Sequence, residues 1–103
     1  MNKKQIVLAI SFAMTSVAAI DAMAYDGSQY AGEAKITIEQ ARALAVKAYP
    51  GSIVEEELEH KRGGSGLRYS FDVRANHLTH EVAVDAKTGK ILENSRESEN
   101  EDD

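Results

Sequence analysis

The chain has 103 residues, with 12 Lys plus Arg against 17 Asp plus Glu, a single Pro and no Cys. That length leaves room for one small domain and excludes an enzyme with separate cofactor and substrate lobes. Without cysteine sulfur, disulfide scaffolds, thiolate zinc sites, iron-sulfur clusters and cysteine nucleophiles are excluded as well.

Lys3 and Lys4 give a positive start, an apolar run fills residues 6–20, and Ala22-Met23-Ala24 has the small-x-small spacing of a cleavage site. This layout predicts a secretory signal peptide over residues 1–24, cut after Ala24, and hence a periplasmic or secreted chain. The run is shorter than the roughly 20 residues that cross a bilayer as a helix, and no Cys follows it to accept a lipid, so no membrane anchor is expected after cleavage. All three Met (Met1, Met14, Met23) fall in this segment, so a chain starting at Tyr25 has no sulfur. Carriage of soft metals such as Cu(I) is thereby excluded. The same chain carries 10 basic and 16 acidic side chains, a net of −6. No nucleic-acid partner is expected for that balance.

Residues 25–35 contain two Gly and no sustained apolar period, and read as a flexible lead-in. Thr37 with Gln40 fits a capping box, and Ile38, Ala41, Leu44, Ala45 and Ala48 recur on one helical face, with Arg42 and Lys47 on the other. Pro50-Gly51 stops the helix, which the spacing places at 38–49. The period then changes to two. Residues 53–61 read as a strand with Val54 and Leu58 inward, and the turn Gly63-Gly64-Ser65-Gly66 leads to the clearest strand. There Leu67, Tyr69, Phe71, Val73 and Ala75 alternate with Arg68, Ser70, Asp72 and Arg74. Leu78, Val82 and Val84 alternate with Thr79, Glu81 and Asp85 in a third strand, and the turn 85–90 leads to a short fourth around Ile91-Leu92. In that turn Asp85 is expected to accept backbone N–H bonds and Gly89 to adopt a positive φ. Glu56 does not fit: it shares parity with Val54 and Leu58 and would point inward unless a bulge or an edge position relieves it.

One helix with a single apolar stripe and a meander with one apolar face predict an α+β fold, the helix packed on one face of an antiparallel four-stranded sheet. Residues 93–103 hold six acids, one Arg and no apolar residue, and are expected to form a disordered acidic tail. Weak, unselective capture of divalent cations is a secondary expectation for that tail.

The Ala-rich helix opening at Ile38-Glu39-Gln40-Ala41, the Pro50-Gly51 stop, the Tyr69-x-Phe71-x-Val73 strand and the closing Val84-Asp85-Ala86-Lys87-Thr88-Gly89-Lys90-Ile91 occur in an order that resembles a PepSY domain over residues 36–92. This is the module of thermolysin-type propeptides and of many small bacterial envelope proteins. The resemblance implies a non-catalytic module that binds and inhibits a peptidase, or acts as an extracytoplasmic interaction or sensing domain. Its partner would be a peptidase or a membrane-protein ectodomain. Here an acidic tail stands where a peptidase domain would follow, so a regulated protease would be a separate protein. The alternative from a different class is an accessory sensor or buffer, answering divalent cations or pH in the envelope through the tail, the acids of 55–59 and the histidines.

Candidate chemistry is sparse. His77-Leu78-Thr79-His80-Glu81 reverses the HExxH order of zincins, and three-residue spacing in a strand puts the two rings on opposite faces. No metal, cofactor or catalytic residue is therefore assigned. Residues 85–96 lack the alternating oxygen ligands of an EF-hand. Glu55, Glu56, Glu57 and Glu59 on the first strand would meet Arg68 and Arg74 on the second in cross-strand ion pairs. The candidate partner-binding surface is the polar sheet face of Arg68, Ser70, Asp72, Arg74, Thr79 and Glu81.

Overall fold

The computed structural model describes residues 24–97, so the expected leader, apart from Ala24, and the last tail residues, 98–103, lie outside the described residues. Helix α1 spans Ile38–Ala48. Both arms of the capping box form: the Gln40 N–H donates to Thr37 Oγ1 at 3.1 Å, and the Thr37 N–H donates to Gln40 Oε1 at 2.9 Å. Two of the backbone donors orphaned at the helix start are thereby satisfied. Tyr49 leaves the helix in an extended conformation, as the proline after it requires.

Strands β1 (Ser52–His60), β2 (Leu67–Ala75), β3 (Leu78–Asp85) and β4 (Ile91–Arg96) form one antiparallel sheet in the order β1-β2-β3-β4. The register sets Leu58 beside Tyr69, Tyr69 beside Val84 and Phe71 beside Val82. These side chains share the face that meets Ile38, Ala41 and Ala45 of α1 in a single buried cluster. Burial of each large apolar side chain there contributes about 1.5–3 kcal/mol. The Tyr69 hydroxyl donates to the Ile36 carbonyl at 2.9 Å, which ties the entry to α1 to the middle of the sheet. Between β2 and β3 the turn residues Asn76 and His77 both have positive φ, 54° and 68°, as a two-residue hairpin of type I′ requires.

Three expectations are corrected. First, β1 carries a bulge: Ile53 pairs with Val73 and Glu55 with Asp72, leaving Val54 as the extra residue. Val54 is 53% exposed instead of inward, and Ile53 packs against the core in its place. Glu56 does sit on the helix side, where Arg42 of α1 receives it bidentately, with Nε and Nη2 donating to its two carboxylate oxygens at 2.9 Å each. Arg42 thus belongs to the helix–sheet junction and not to the solvent face.

Second, the lead-in is structured. Gly27, at φ +85°, opens a 3-10 helix over Ser28–Glu33. Just before it, Asp26 forms a parallel bridge to Glu57, with the Leu58 N–H donating to the Asp26 carbonyl at 2.8 Å. Tyr25 and Tyr30 pack against the core, and His60 meets both the Tyr30 ring, at 4.5 Å between centroids, and Glu33 Oε1, at 2.9 Å. Two tyrosines too far apart for any short period supply the apolar area that orders this segment.

Third, β4 runs on to Arg96, through residues expected in the tail. Ladder bonds to β3 need no apolar side chain, so the missing hydrophobic signal did not prevent pairing. Asn94 adds two side-chain links, donating to the Ala48 carbonyl at 3.3 Å and meeting His80 Nδ1 at 2.9 Å.

Candidate functional site: the open face of the sheet

Helix α1 covers one face of the sheet, and strand alternation sends the other set of side chains to the opposite face. The register aligns them in rows. Glu55, Asp72, Glu81 and Ser95 stand side by side across the four strands, and Glu57, Ser70, Ala83 and Glu93 form the adjacent row. Small Ser70 and Ala83 leave the middle low while long carboxylates rise around it. The result is a trough of about 330 Å³ whose lining includes Asp26, Glu57, Asp72, Glu81 and Glu97.

Like charges in directly opposed positions repel, and three consecutive strands place acids side by side here. The carboxyls respond accordingly. Asp72 is pushed up to about 6 by burial first, then by the charges of Glu97 and Glu55, a hydrogen bond with Glu55 and the charge of Glu81. Burial and Glu93 raise Glu81, against a lowering by Lys61, and burial with Glu59 raises Glu57.

The six residues singled out from sequence do share this face, but not one environment. Asp72, Thr79 and Glu81 are half-buried and Arg74 is exposed, with Arg74 Nη1 donating to Thr79 Oγ1 at 3.3 Å. Arg68, at 7% exposure, lies beneath the connection between β1 and β2; it donates to the Arg62 carbonyl at 3.2 Å and stands 3.6 Å from Glu93. Ser70 is buried and donates to Glu59 at 2.9 Å. The cross-strand pairs expected of Arg68 and Arg74 with the acids of β1 are replaced by these contacts, because Glu56 turns to Arg42 and Glu59 to Ser70. Glu93, Glu97 and Asp26 complete the acidic rim. The signal for Glu93 and Glu97 in the sequence was the period-two spacing of Glu93, Ser95 and Glu97, without an apolar partner set to reveal a strand, and Asp26 carried none.

The remaining candidate residues have other roles. His77 sits in the β2–β3 turn, while His80 lies on the helix side, stacked on Tyr49 at 3.7 Å. Among the described residues no group of three or more His, Asp or Glu is placed to hold one metal ion. Asp85 is 1% exposed and accepts four hydrogen bonds: from the Ser65 N–H at 2.6 Å, Ser65 Oγ at 2.8 Å, and the Lys87 and Thr88 N–H groups at 2.8 and 3.1 Å. It locks the β1–β2 connection against the β3–β4 turn, where Gly89 takes the expected positive φ of 83°.

Compared with known proteins, residues 35–94 match the family model described as peptidase propeptide and YPEB domain, PepSY. No curated protein and no solved structure matches the chain. Among the described residues no helix is long and apolar enough to cross a membrane.

Proposed function

The chain belongs to the PepSY family, and on that premise we propose that it is a non-catalytic module of the cell envelope that binds and inhibits a peptidase, or restrains another envelope protein, through the open face of its sheet. The observation that supports this is the one-sided burial of the fold. Helix α1 covers one face only, and the other carries a trough of about 330 Å³ lined in part by Asp72 and Glu81, with the Arg74–Thr79 pair on the same face. Arg68 and Ser70 hold that surface from below and are not contact residues in this proposal. Such a surface offers hydrogen-bond acceptors and charge on a rigid frame, which suits holding a partner in place. The leader expected over residues 1–24 would deliver the chain to the compartment where such peptidases work.

The test is capture of envelope proteins on the secreted chain, followed by activity assays of each retained peptidase with increasing amounts of free chain. Saturable loss of activity is expected, weakened by Asp72→Lys and Glu81→Lys. A retained peptidase whose activity is unchanged at saturation overturns inhibition.

A second reading, as a pH-responsive accessory protein, is favoured by Asp72, whose carboxyl titrates near 6. It predicts that affinity for the captured partner changes between pH 5 and 7 and that Asp72→Asn removes the change.

A further inference from the structure

We propose that the outer edge of β4 receives an extended, Lys- or Arg-bearing segment of a protein partner as a fifth strand, its basic side chains lying over Glu93, Glu97 and Glu81. This deepens the proposed binding function by stating the partner's chemistry, and it rests on that function.

The two edges of the sheet differ. The β1 edge is occupied where Asp26 bridges Glu57 and accepts the Leu58 N–H. Strand β4, at the other end of the strand order, pairs among the described residues with β3 alone. The Glu97 N–H donates to the Thr79 carbonyl at 2.8 Å, so residues 97 and 79 form a hydrogen-bonded pair. Antiparallel alternation then makes Ser95 with Glu81 and Glu93 with Ala83 the next bonded pairs, and turns the backbone groups of Asn94 and Arg96 outward. An outward row of N–H and C=O groups is a template for another strand.

Natural edges are blunted by proline, bulges, covering loops or charge. Residues 93–96 have no proline and no register shift; their protection is charge, and on the open face it has one sign. A second copy of this chain would set Glu93 and Glu97 beside their own like, which repels. The same carboxylates attract a strand of opposite charge. An added strand lies about 4.8 Å beyond β4 and about 10 Å from β3, so an extended Lys or Arg on its open face reaches Glu93 or Glu97 directly and Glu81 one strand further. Glu93 and Glu97 are four residues apart on one face, about 13 Å. The segment selected is therefore one with basic residues at i and i+4, or at every second position between. Within the trough, those cations would also relieve the repulsion among Asp72, Glu81 and Glu97.

The experiment uses the secreted chain and two blocked eight-residue peptides, one alternating Lys with Thr and the other Glu with Thr. Affinity is read by fluorescence anisotropy at about 20 mM and about 300 mM salt, and the site by amide hydrogen exchange. The Lys peptide is expected to bind, to weaken with salt, and to slow exchange at the Asn94 and Arg96 amides by roughly tenfold or more. Glu93→Lys with Glu97→Lys is expected to lower affinity about tenfold. Arg96→Pro removes one outward N–H and leaves the β3 ladder whole, so it is expected to bind more weakly than Arg96→Ala. Equal binding of the Glu peptide, protection centred away from β4, or equal affinity of the Pro and Ala variants overturns the proposal. If no peptide binds while a captured peptidase is still inhibited, edge docking fails and the inhibitory function stands. If the Lys peptide binds at β4 and no peptidase is inhibited, the outcome is the reverse.

Discussion

Replacing Asp85 by asparagine keeps the shape of the side chain and removes its charge, which isolates what the carboxylate does. Burial alone would raise this carboxyl, yet the N–H of Ser65, the N–H of Lys87, the hydroxyl of Ser65 and the N–H of Thr88 together hold it down at about 2, from an ordinary 3.8. The folded value lies below the unfolded one, so the stabilisation is fully present above about pH 4 and is lost as the pH falls through about 2. A shift of nearly two pH units corresponds to about 2 kcal/mol at neutral pH, and to well under 1 kcal/mol at pH 2. The Asp85→Asn side chain would also turn an amide N–H₂ towards donors that need an acceptor, adding a pH-independent cost of about 1–2 kcal/mol. A small domain has on the order of 5 kcal/mol in total, so the variant should be close to unfolding at 37 °C. Urea denaturation of both chains at pH 7, 4 and 2.5 measures the difference. It should be largest at pH 7 and shrink by about 1.5 kcal/mol by pH 2.5. A difference that is the same at all three pH values would refute the assignment of the stabilisation to the ionised carboxylate.

Asp72→Asn should act with the opposite sign. Its carboxyl is raised to about 6, so the native state holds a proton the unfolded chain releases, and stability declines as pH rises from about 4 through 6. After allowance for solvent screening, the variant should gain about 1 kcal/mol at pH 8 and almost nothing at pH 4, measured by the same denaturation series. Gly27→Ala should undock the 3-10 helix, because a Cβ there meets the Leu58 carbonyl and φ is +85°. Faster exchange of the Leu58 amide, with a loss of about 1–2 kcal/mol, is the expected readout, and unchanged exchange would contradict it. For the half-buried pair of Arg42 and Glu56, a double-mutant cycle with Arg42→Met and Glu56→Gln should return a coupling of about 1 kcal/mol. A coupling near zero would mean that the bidentate contact contributes nothing beyond its desolvation cost.

Much of the fold was legible in the sequence because each element carries its own local reason. The capping box at Thr37 and Gln40, the stop at Pro50 and the period-two runs around Phe71 and Val82 depend only on neighbours a few residues apart. The helix, the strand order and the side of the sheet it covers follow from these periods. Asp85 and Gly89 were legible for the same reason, since a turn is a local structure. Val54 was not. A bulge inserts one residue and inverts the parity of everything before it, and nothing within the segment of residues 52–58 marks where that insertion falls.

Apolar and polar side chains alternate with the periods of the helix and the strands, and this alone requires one face of the small sheet to be covered by the helix and the other left polar. Which acids meet on that polar face depends on strand register, which no local pattern encodes. Glu55, Asp72 and Glu81 are far apart along the chain and become neighbours through strand register, and Glu93 and Glu97 join them because ladder hydrogen bonds extend β4 without any apolar side chain. The lead-in was settled in the same way, by Tyr25 and Tyr30 reaching a core built from residues far along the chain. Long-range register and docking carry no local period, and the difference between the two sheet edges among the described residues, β4 bonded to β3 alone and β1 bridged by Asp26, arises from them.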